Sequence, residues 1–398
     1  MPPARFLRDY WQKRPLLVRG AFAGLRDPLE PDDLAGLACE ELALARIAIH
    51  DSARDRWTVR SGPFAEADFA TLPKTHWTLL VQDVDKWDAD VAALLDAFAF
   101  LPTWRIDDVM ASYAEDGGSV GPHVDQYDVF LLQGLGRRRW RISTDPAAPK
   151  TLRDDAELAL LREFVPTHDW ILESGDMLYL PPGVPHEGVA IGAAMTYSIG
   201  MRAPSQAELL LDLAATLAGT LPESQRYADP DLAPARAGGE IDAAALRRLL
   251  RALPWLRLSG DAEPDEGRAP DGTGGVDASL LGTWFGRFIT RYRMAGDASP
   301  AARPMTDAAL ARLGARGAVL RRHPWSRFAW LRDGRAAMVF VAGEKHRCSL
   351  QLARRLCAHR AFPMSAAGTA TRDLAVVRRL LDGGHLVPAG AGRGKAHP

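Results

Sequence analysis

Two histidines and one aspartate are the residues of this chain best suited to chemistry. His123 and Asp125 lie two positions apart, and His186 follows 61 residues after Asp125. On a β-strand, side chains at positions i and i+2 point to the same face, so His123 and Asp125 can reach one point. Two histidines and one carboxylate on one face of a metal ion leave its other positions open, which is typical of non-haem Fe(II) sites that use O₂.

The segment that precedes His186 supports this interpretation. A His-x-Asp pair alone is more often a surface strand pair than a ligand pair. Residues 175–186, however, read as a Gly-Asp turn, a short apolar strand and a Pro/Gly turn that delivers His186 to the start of a second strand. The two segments together predict a metal centre of His123, Asp125 and His186. These ligand types accept iron and manganese alike.

Arg138 is the second unusual residue. Strand alternation in the segment GRRRWRI (136–142) puts Arg138 on the same face as Trp140 and Ile142, whereas the arginines on either side of it face the opposite way. A buried guanidinium needs an anion, because an unpaired buried charge is very costly. Its fork suits the far carboxylate of a dicarboxylate whose other end chelates the metal. A core acid as the partner, or a register error of one position, is the alternative.

Hydroxyl side chains at inward strand positions are candidates for contacts to the same ligand. Thr196 and Ser198 alternate with larger residues on the last strand, and Ser112 does so on an early one. A hydroxyl on a strand is usually only a tolerated β-former, so each of these residues is a weak signal by itself.

The composition is that of a globular protein. The chain has 398 residues, enough for two or three domains, and 47% of them are apolar and 25% charged. A disordered or fibrous chain is therefore excluded. The formal net charge of −1 conceals an asymmetry, because residues 301–398 carry 18 Lys and Arg against 5 Asp and Glu, a net of +13, and the first 300 residues carry a net of −14.

Cysteine usage and apolar runs bear on the compartment. Cys39, Cys348 and Cys357 are odd in number and lack metal-motif spacing, which argues against a disulfide scaffold and for a reducing environment. Charged residues interrupt the first 22 positions, so we see no signal-peptide core there. No apolar run approaches the roughly 18 residues of a membrane span. We expect a soluble cytoplasmic protein.

The hydrophobic pattern from about residue 105 to residue 202 predicts short antiparallel strands in a barrel or sandwich. Residues 31–47 and 91–100 read as helices of a preceding α/β flank, and the N-terminal stretch is expected to complete or cover the sheet. The predicted strands cover residues 109–113, 127–133, 137–142, 177–180 and 195–201.

The pattern changes after Pro204. Helical spacing over residues 206–217 and 241–253 predicts a helical region at 204–257, and the Gly/Asp-rich residues 258–279 predict a flexible insertion. Residues 280–385 combine helices with a hairpin turned at Asp333-Gly334, which fits a winged helix and other small α+β modules. Residues 386–398 are predicted to be a disordered tail.

Several motifs resemble one known family. The segments GPHVDQYDVF (121–130), QGLGRRRW (133–140) and PPGVPHEG (181–188) closely resemble the bacterial JmjC-type ribosomal oxygenases, and among them most closely the arginine hydroxylases of large-subunit ribosomal protein uL16. The segments FLRDYWQKRPLL (6–17) and RIDDVM (105–110) also resemble this family. The match is dense and specific over residues 5–203 and rests mainly on architecture beyond them.

The resemblance implies a double-stranded β-helix of the JmjC/cupin type. It also implies an enzyme that uses Fe(II), 2-oxoglutarate and O₂ to place a hydroxyl on C3 of an arginine of uL16. The family's metal ligands fall on His123, Asp125 and His186, and its co-substrate contacts fall on Ser112, Arg138 and Thr196. Family members have Asn where this chain has Thr196, so the chain departs from the pattern there.

The resemblance further implies partners and a domain order. Residues 1–203 would form the oxygenase domain, residues 204–257 a helical dimerisation region that makes a homodimer, and residues 280–385 the winged helix. The basic C-terminal part makes contact with ribosomal RNA conceivable, but an Arg-rich coding bias explains the charge equally well, so direct nucleic-acid binding is not predicted. Acidic or aromatic groups should surround an arginine substrate, and the candidates are Glu115, Asp116 and Tyr127.

Other functions are compatible with parts of the sequence. A 2-oxoglutarate oxygenase of the same fold could act on a histidyl or methyl-lysyl residue, because ligands and co-substrate grip are shared. The QYDVF and RRR stretches favour the arginyl branch. A metal-binding cupin that is not an oxygenase lacks an inward arginine at this place, so Arg138 argues against it. A nucleic-acid-binding regulator with an inert barrel would rest on the basic tail, and the intact ligand set argues against that.

Overall fold

The fold is described from a computed structural model. The structure describes residues 1–224, 226–230, 232, 243–252, 278–291, 298, 300–301, 303–368 and 370–389. Two compact units divide the chain, one of Met1–Ala203 with Ile289–Pro398 and one of Pro204–Phe288.

Short strands dominate the first unit, and helices form the second. The strands are β1 (Leu16–Val18), β2 (Ala45–Asp51), β3 (Arg56–Ser61), β4 (Trp77–Val81), β5 (Ile106–Ala114), β6 (His123–Val124), β7 (Val129–Gln133), β8 (Arg137–Ile142), β9 (His168–Leu172), β10 (Met177–Leu180), β11 (Pro185–Ile191), β12 (Ala194–Met201), β13 (Val319–Arg322), β14 (Phe328–Asp333), β15 (Ala336–Val341), β16 (Glu344–Ser349), β17 (Ala361–Pro363) and β18 (Leu386–Pro388). The helices are α1 (Pro3–Asp9), α2 (Pro31–Ala38), α3 (Glu66–Phe69), α4 (Val84–Trp87), α5 (Ala89–Leu94), α6 (Gln206–Ala218), α7 (Ala243–Ala252), α8 (Ala278–Thr290), α9 (Asp307–Ala315), α10 (Leu350–Ala358) and α11 (Thr371–Asp382).

Two antiparallel sheets face each other across one core. The larger sheet has the strand order β1-β10-β7-β12-β5-β4-β2-β3, and the smaller has the order β6-β11-β8-β9. Leu131 and Leu178 of the larger sheet share a buried cluster with Trp140, Ile142 and Leu172 of the smaller one. The alternation in the sequence therefore correctly predicts a sandwich, because each strand buries one of its two faces between the sheets.

The N-terminal segment covers the outer face of the larger sheet. Phe6 of α1 packs edge-to-face on Tyr179 of β10, with ring centroids 4.9 Å apart. The buried carboxylate of Asp128 accepts hydrogen bonds from the Tyr179 hydroxyl at 2.6 Å and from Gln12 Nε2 at 2.9 Å. Strand β1 pairs with β10 and extends the sheet, so the N-terminal stretch both completes and covers it, as predicted.

The helix predicted over residues 31–47 is wrong in its second half. Helix α2 ends at Ala38, and strand β2 begins at Ala45. Strand β2 pairs with both β3 and β4, and Ile47 and Ala48 on its opposite faces are both buried. A strand covered on both faces loses the two-residue alternation that would mark it, which is why periodicity missed it. Helix α5 likewise ends at Leu94 and continues only as a short 3₁₀ turn.

The C-terminal part of the first unit has a core of its own. Its two three-stranded sheets have the orders β17-β13-β18 and β14-β15-β16. Helices α10 and α11 pack on them through Leu352, Leu356, Val377 and Leu380. The predicted hairpin is present but turns one residue later than predicted, because Asp333 pairs with Ala336 and leaves Gly334 and Arg335 as the turn.

The second unit contains α6, α7 and α8. Trp284 of α8 donates its indole N–H to the Asp212 carboxylate of α6 at 2.8 Å. Leu210 and Leu211 of α6 are 67% and 71% exposed. Residues 258–277 of the predicted insertion and residues 390–398 of the predicted tail lie outside the described residues. A search of the described helices found none long and apolar enough to cross a membrane.

Gly136 offers a test of the sandwich connection. Its φ is +65°, and a Cβ at this position would lie 2.1 Å from the Ala193 carbonyl oxygen. We expect Gly136→Ala to lower the free energy of unfolding by about 2 kcal/mol or more, because the turn between β7 and β8 must shift. Urea unfolding measures this.

Gly192 provides the matched control. Its φ is +68°, but a Cβ there would meet nothing within 4 Å. Gly192→Ala should therefore cost only the left-handed backbone strain, about 1 kcal/mol. Equal losses in the two variants would contradict the close approach at Gly136.

Candidate active site

The pairing of β6 with β11 brings the two predicted histidine ligands together. His123 lies directly opposite His186 in this antiparallel ladder, and their ring centroids are 4.3 Å apart. Asp125 follows β6 directly, and its Oδ2 lies 3.6 Å from Nε2 of His186. One possible ligand atom from each of the three residues lies within 4.8 Å of the others. The structure thus brings the predicted triad together.

Both imidazoles are held in the orientation that a metal ligand needs. Nδ1 of His123 lies 2.9 Å from the Gly121 carbonyl oxygen, and Nδ1 of His186 lies 2.9 Å from that of Val184. A ring that donates its Nδ1 proton to a carbonyl keeps a lone pair on Nε2. Nε2 of both rings is therefore free to bind a cation.

The electrostatics of the triad also fit a cation. Burial, together with the charge on His123, lowers the pKa of His186 to about 3, so its ring is neutral at physiological pH. Burial raises the pKa of Asp125, which means that its negative charge lacks full compensation within the protein. A divalent cation between the three residues would supply that compensation.

Arg138 lies inside the sandwich, as its parity predicts. It is opposite Ala190 on β11, four residues beyond His186 and on the same face of the sheet. The side chain is buried, and its Nε and Nη2 atoms have no hydrogen-bond partner in the described part of the chain. Burial lowers the pKa of Arg138 to about 10. A buried guanidinium without a protein anion is suited to bind an anionic ligand.

Trp140 forms the wall between Arg138 and the triad. Its ring centroid lies 6.0 Å from that of His186 and 6.0 Å from Cζ of Arg138. A Cβ on Gly188, which pairs with Trp140, would lie 2.7 Å from the indole, so only glycine leaves room for this ring. Sequence reasoning missed Gly188, although the segment PPGVPHEG contains it.

The predicted hydroxyl residues lie on the facing sheet. Thr196 of β12 is paired with Ser112 of β5 on one side and with Gln133 of β7 on the other. All three side chains are buried. The Thr196 hydroxyl donates to Gln133 Oε1 at 3.1 Å, and the Ser112 hydroxyl lies 3.4 Å from the Thr196 carbonyl oxygen. The Thr196 hydroxyl is thus engaged with the protein in this structure.

Comparison with known proteins agrees with this geometry. A family model described as a JmjC domain matches residues 93–209, and one described as a ROXA-like winged helix matches residues 276–387. The chain is 39% identical over 295 residues to the ribosomal protein uL16 3-hydroxylase of Escherichia coli K12, covering 74% of this chain and 73% of that one. The chain belongs to the JmjC-type ribosomal oxygenases.

Further relatives extend the likeness over the whole length. A probable ribosomal oxygenase of Haemophilus influenzae is 39% identical over 217 residues, which are 52% of this chain and 51% of that one. The crystal structure of E. coli YcfD superimposes with a TM-score of 0.80 at 34% identity over 98% of both chains. A YcfD structure in complex with cobalt and 2-oxoglutarate gives a TM-score of 0.78 at 34% identity over 98% of this chain and 99% of that one. The predicted family, fold class and enzyme class are confirmed.

Asp108 is a residue of this ribosomal oxygenase that sequence reasoning missed. It pairs with Gly200 on β12, and a Cβ on Gly200 would lie 3.1 Å from Asp108 Oδ1 and 4.0 Å from Cε2 of Tyr127. The Tyr127 phenol in turn hydrogen-bonds to Asp125. Asp108 therefore lies one tyrosine away from the triad. Its strand parity equals that of Ser112, so the signal was present in the sequence.

Burial dominates the electrostatics of Asp108. It raises the pKa of Asp108 to about 7, and the carboxylates of Asp83, Asp85 and Asp107 raise it further. Its carboxylate accepts the Asp83 N–H at 3.3 Å. Tyr127 is 42% exposed, so this end of the site reaches the surface. A carboxylate in such a place is suited to receive a cationic side chain.

The two other candidates for the pocket mouth lie elsewhere. Glu115 accepts a hydrogen bond from the Tyr113 hydroxyl at 2.5 Å. Asp116 is exposed and accepts the Gly192 N–H at 2.8 Å. Both follow the end of β5 that pairs with Ala194, whereas Asp108 lies near its start. Of the three candidates, only Tyr127 contacts the triad.

Loss of a triad residue should abolish metal binding. We expect His123→Ala and Asp125→Ala each to weaken Co²⁺ affinity at least tenfold, because each removes one of three ligands. Isothermal titration calorimetry measures the affinity. His168→Ala on neighbouring β9 is the matched control and should bind Co²⁺ as the unaltered chain does. Equal affinity in the Asp125→Ala variant would remove the triad as the site.

Asp108 should make the stability fall as pH rises. The unfolded carboxyl releases its proton near pH 4, whereas the folded one holds it to about pH 7, so the folded chain binds more protons in this window. The free energy of unfolding due to Asp108 therefore decreases from about pH 4 to 7. We expect Asp108→Asn to remove this loss and to gain about 2 kcal/mol at pH 8. Urea unfolding from pH 5 to 8 measures it, and an unchanged pH slope would contradict the shifted pKa.

Proposed function

We propose that this chain is an Fe(II)- and 2-oxoglutarate-dependent hydroxylase that acts on C3 of an arginine in ribosomal protein uL16. The observation that carries the proposal is the joint presence of the triad and of buried Arg138 on one face of the smaller sheet. A metal-binding cupin has no need for the second group. The activity named for the E. coli relative supports the choice of substrate.

His123, Asp125 and His186 would hold the iron, and the free Nε2 atoms of the two rings support this role. Arg138 would pair with the distal carboxylate of 2-oxoglutarate through its planar fork. Bound iron with a 2-oxo acid and O₂ supplies the oxidising power to hydroxylate an unactivated C–H bond. The chain itself holds the ligands, orients the co-substrate and excludes water from the buried end near Arg138.

Ser112 and Thr196 would contribute further co-substrate contacts. Both lie on the sheet that faces the triad, which supports the assignment. The Thr196 hydroxyl, which now donates to Gln133, would have to rotate or accept a hydrogen bond to serve the ligand. Ser112, whose own bond is long at 3.4 Å, has less to give up.

Asp108 and Tyr127 would receive the arginine. A guanidinium entering beside Tyr127 would pair with the Asp108 carboxylate, and its positive charge would stabilise the ionised form that burial disfavours. The Tyr127 ring would lie along the aliphatic part of the side chain, next to the triad. The target carbon would then be held near the metal ligands rather than in free solution.

The remaining proposals concern organisation. Residues 1–203, 204–257, 258–279, 280–385 and 386–398 are proposed as the oxygenase domain, helical region, insertion, winged helix and tail. The exposed Leu210 and Leu211 of α6 support homodimerisation through the helical region. Three cysteines without a disulfide support a cytoplasmic location, where a ribosomal protein partner is also found. Direct nucleic-acid binding is not proposed.

The experiment loads the protein anaerobically with Fe(II) and 2-oxoglutarate, admits O₂, and follows a uL16-derived arginyl peptide by mass spectrometry. We expect a gain of one oxygen on the arginine, dependent on 2-oxoglutarate. Arg138→Ala should reduce turnover at least a hundredfold, because it removes the only guanidinium that the triad's face offers to the co-substrate in the described residues.

Arg139→Ala is the matched control, since Arg139 lies on the same strand but outside the sandwich, where it pairs with Asp169 at 2.8 Å. It should keep the activity. Succinate formed without peptide oxidation would retain the oxygenase and reject the arginyl substrate, leaving a histidyl or methyl-lysyl target. No turnover of any kind with full metal occupancy would reject the oxygenase.

A further inference from the structure

The C-terminal domain contacts the oxygenase domain beside the proposed arginine pocket. Arg327, which directly precedes β14, donates to the Asp107 carboxylate and, at 3.2 Å, to the Asp107 carbonyl oxygen. Two residues earlier, Trp325 packs edge-to-face on Trp87 with ring centroids 6.0 Å apart. Both contacts lie within the first compact unit. The loop between β13 and β14 thus reaches the start of β5.

Asp107 is the neighbour of Asp108 and belongs to a cluster of charges. The cluster contains the carboxylates of Asp83, Asp85, Asp107 and Asp108 and the cations of Lys86, Arg202 and Arg327. Lys86 pairs with Asp85, and both Arg202 and Arg327 approach Asp107. These contacts place the cations around Asp85 and Asp107. Within these seven residues the acids exceed the bases by one, and Asp108 lies on the side of Tyr127.

The backbone of this cluster is tied together. The Val109 N–H donates to Asp85 Oδ1 at 2.8 Å, and the Asp83 N–H donates to Asp108 Oδ2 at 3.3 Å. Lys86 Nζ reaches the Asp107 carbonyl oxygen at 3.4 Å. Residues 107–109 are therefore held from one side by the segment around α4. Arg327 holds the same residues from the other side, through both the side chain and the carbonyl of Asp107.

We propose that Arg327 is a positioning residue of the arginine pocket, supplied by the winged-helix domain. It fixes the start of β5 and occupies the Asp107 carboxylate, so that Asp108 alone faces the incoming guanidinium. The inference rests on the proposed function for its substrate. It assigns the C-terminal domain a part in substrate orientation that does not require contact with the substrate.

Loss of Arg327 has two consequences for the pocket. An Asp107 carboxylate with a weaker partner set can compete with Asp108 for the guanidinium and hold it in the wrong place. It also stands next to Asp108 as an added like charge, which favours the protonated form of Asp108. Both effects weaken productive binding of the arginine. Neither involves Arg138 at the other end of the site, so binding of 2-oxoglutarate should not change.

The test compares Arg327→Met with the unaltered full-length chain. We expect kcat/KM for the uL16 arginyl peptide to fall about tenfold or more, with more 2-oxoglutarate consumed per peptide hydroxylated and an unchanged KM for 2-oxoglutarate. Peptide affinity, measured by isothermal titration calorimetry under anaerobic conditions, should weaken about tenfold. Arg327→Lys, which keeps the charge but not the fork, should recover part of the loss.

Arg332→Met is the matched control, because Arg332 is exposed on β14 of the same domain. It should leave all four quantities unchanged. A merely structural Arg327 would lower the melting temperature of Arg327→Met and leave the coupling and the peptide affinity as they were, and that result would overturn the inference. If Arg327→Met does not fold, Arg327→Lys decides, and unchanged coupling and affinity in that variant would overturn the inference.

The binding arm separates this inference from the proposed function. Peptide that binds the unaltered chain but is not oxidised would reject the proposed reaction, while the change in affinity on Arg327→Met would still judge the inference. Peptide that does not bind the unaltered chain would overturn both.

Discussion

The site depends on one short antiparallel pairing, that of β6 with β11. Only Val124 with Pro185 and His123 with His186 are paired, yet this register sets both imidazoles side by side. A slip of one residue would turn His186 out of the sandwich. The pairing of β11 with β8 over six positions prevents the slip, and the Gly183 N–H holds the Asp125 carbonyl oxygen at 2.8 Å. The weakest ladder in the sandwich is therefore fixed by its stronger neighbour.

Charge is separated along the interior of the sandwich. Arg138 lies at one end, the triad lies between, and Asp108 lies at the end near Tyr127. A cation at one end and a carboxylate at the other give the site a direction, because an anionic co-substrate and a cationic side chain are each attracted to only one end. The hydrophobic cluster around Leu131 and Trp140 separates these groups from water and strengthens their fields.

Local periodicity predicted the part of the site that lies on regular strands. The parity of Arg138, the i and i+2 spacing of His123 and Asp125, and the Pro/Gly turn before His186 are all local patterns, and a strand converts such patterns into direction. The strand β2 was missed because burial on both faces erases the alternation. Asp108 was missed because an aspartate on a strand is read as a surface residue until its partner strand is known. The contact of Arg327 with Asp107 joins residues 220 positions apart, which no local pattern can encode.

The buried charge of Arg138 ties the amount of folded protein to the composition of the cell. A dicarboxylate that pairs with Arg138 binds the folded chain and not the unfolded one, so it stabilises the fold by mass action. Above its dissociation constant, each tenfold rise in its free concentration adds about 1.4 kcal/mol to the free energy of unfolding. A cell poor in that metabolite therefore holds a less stable enzyme, and proteolysis of the unfolded fraction would lower its abundance as well as its rate.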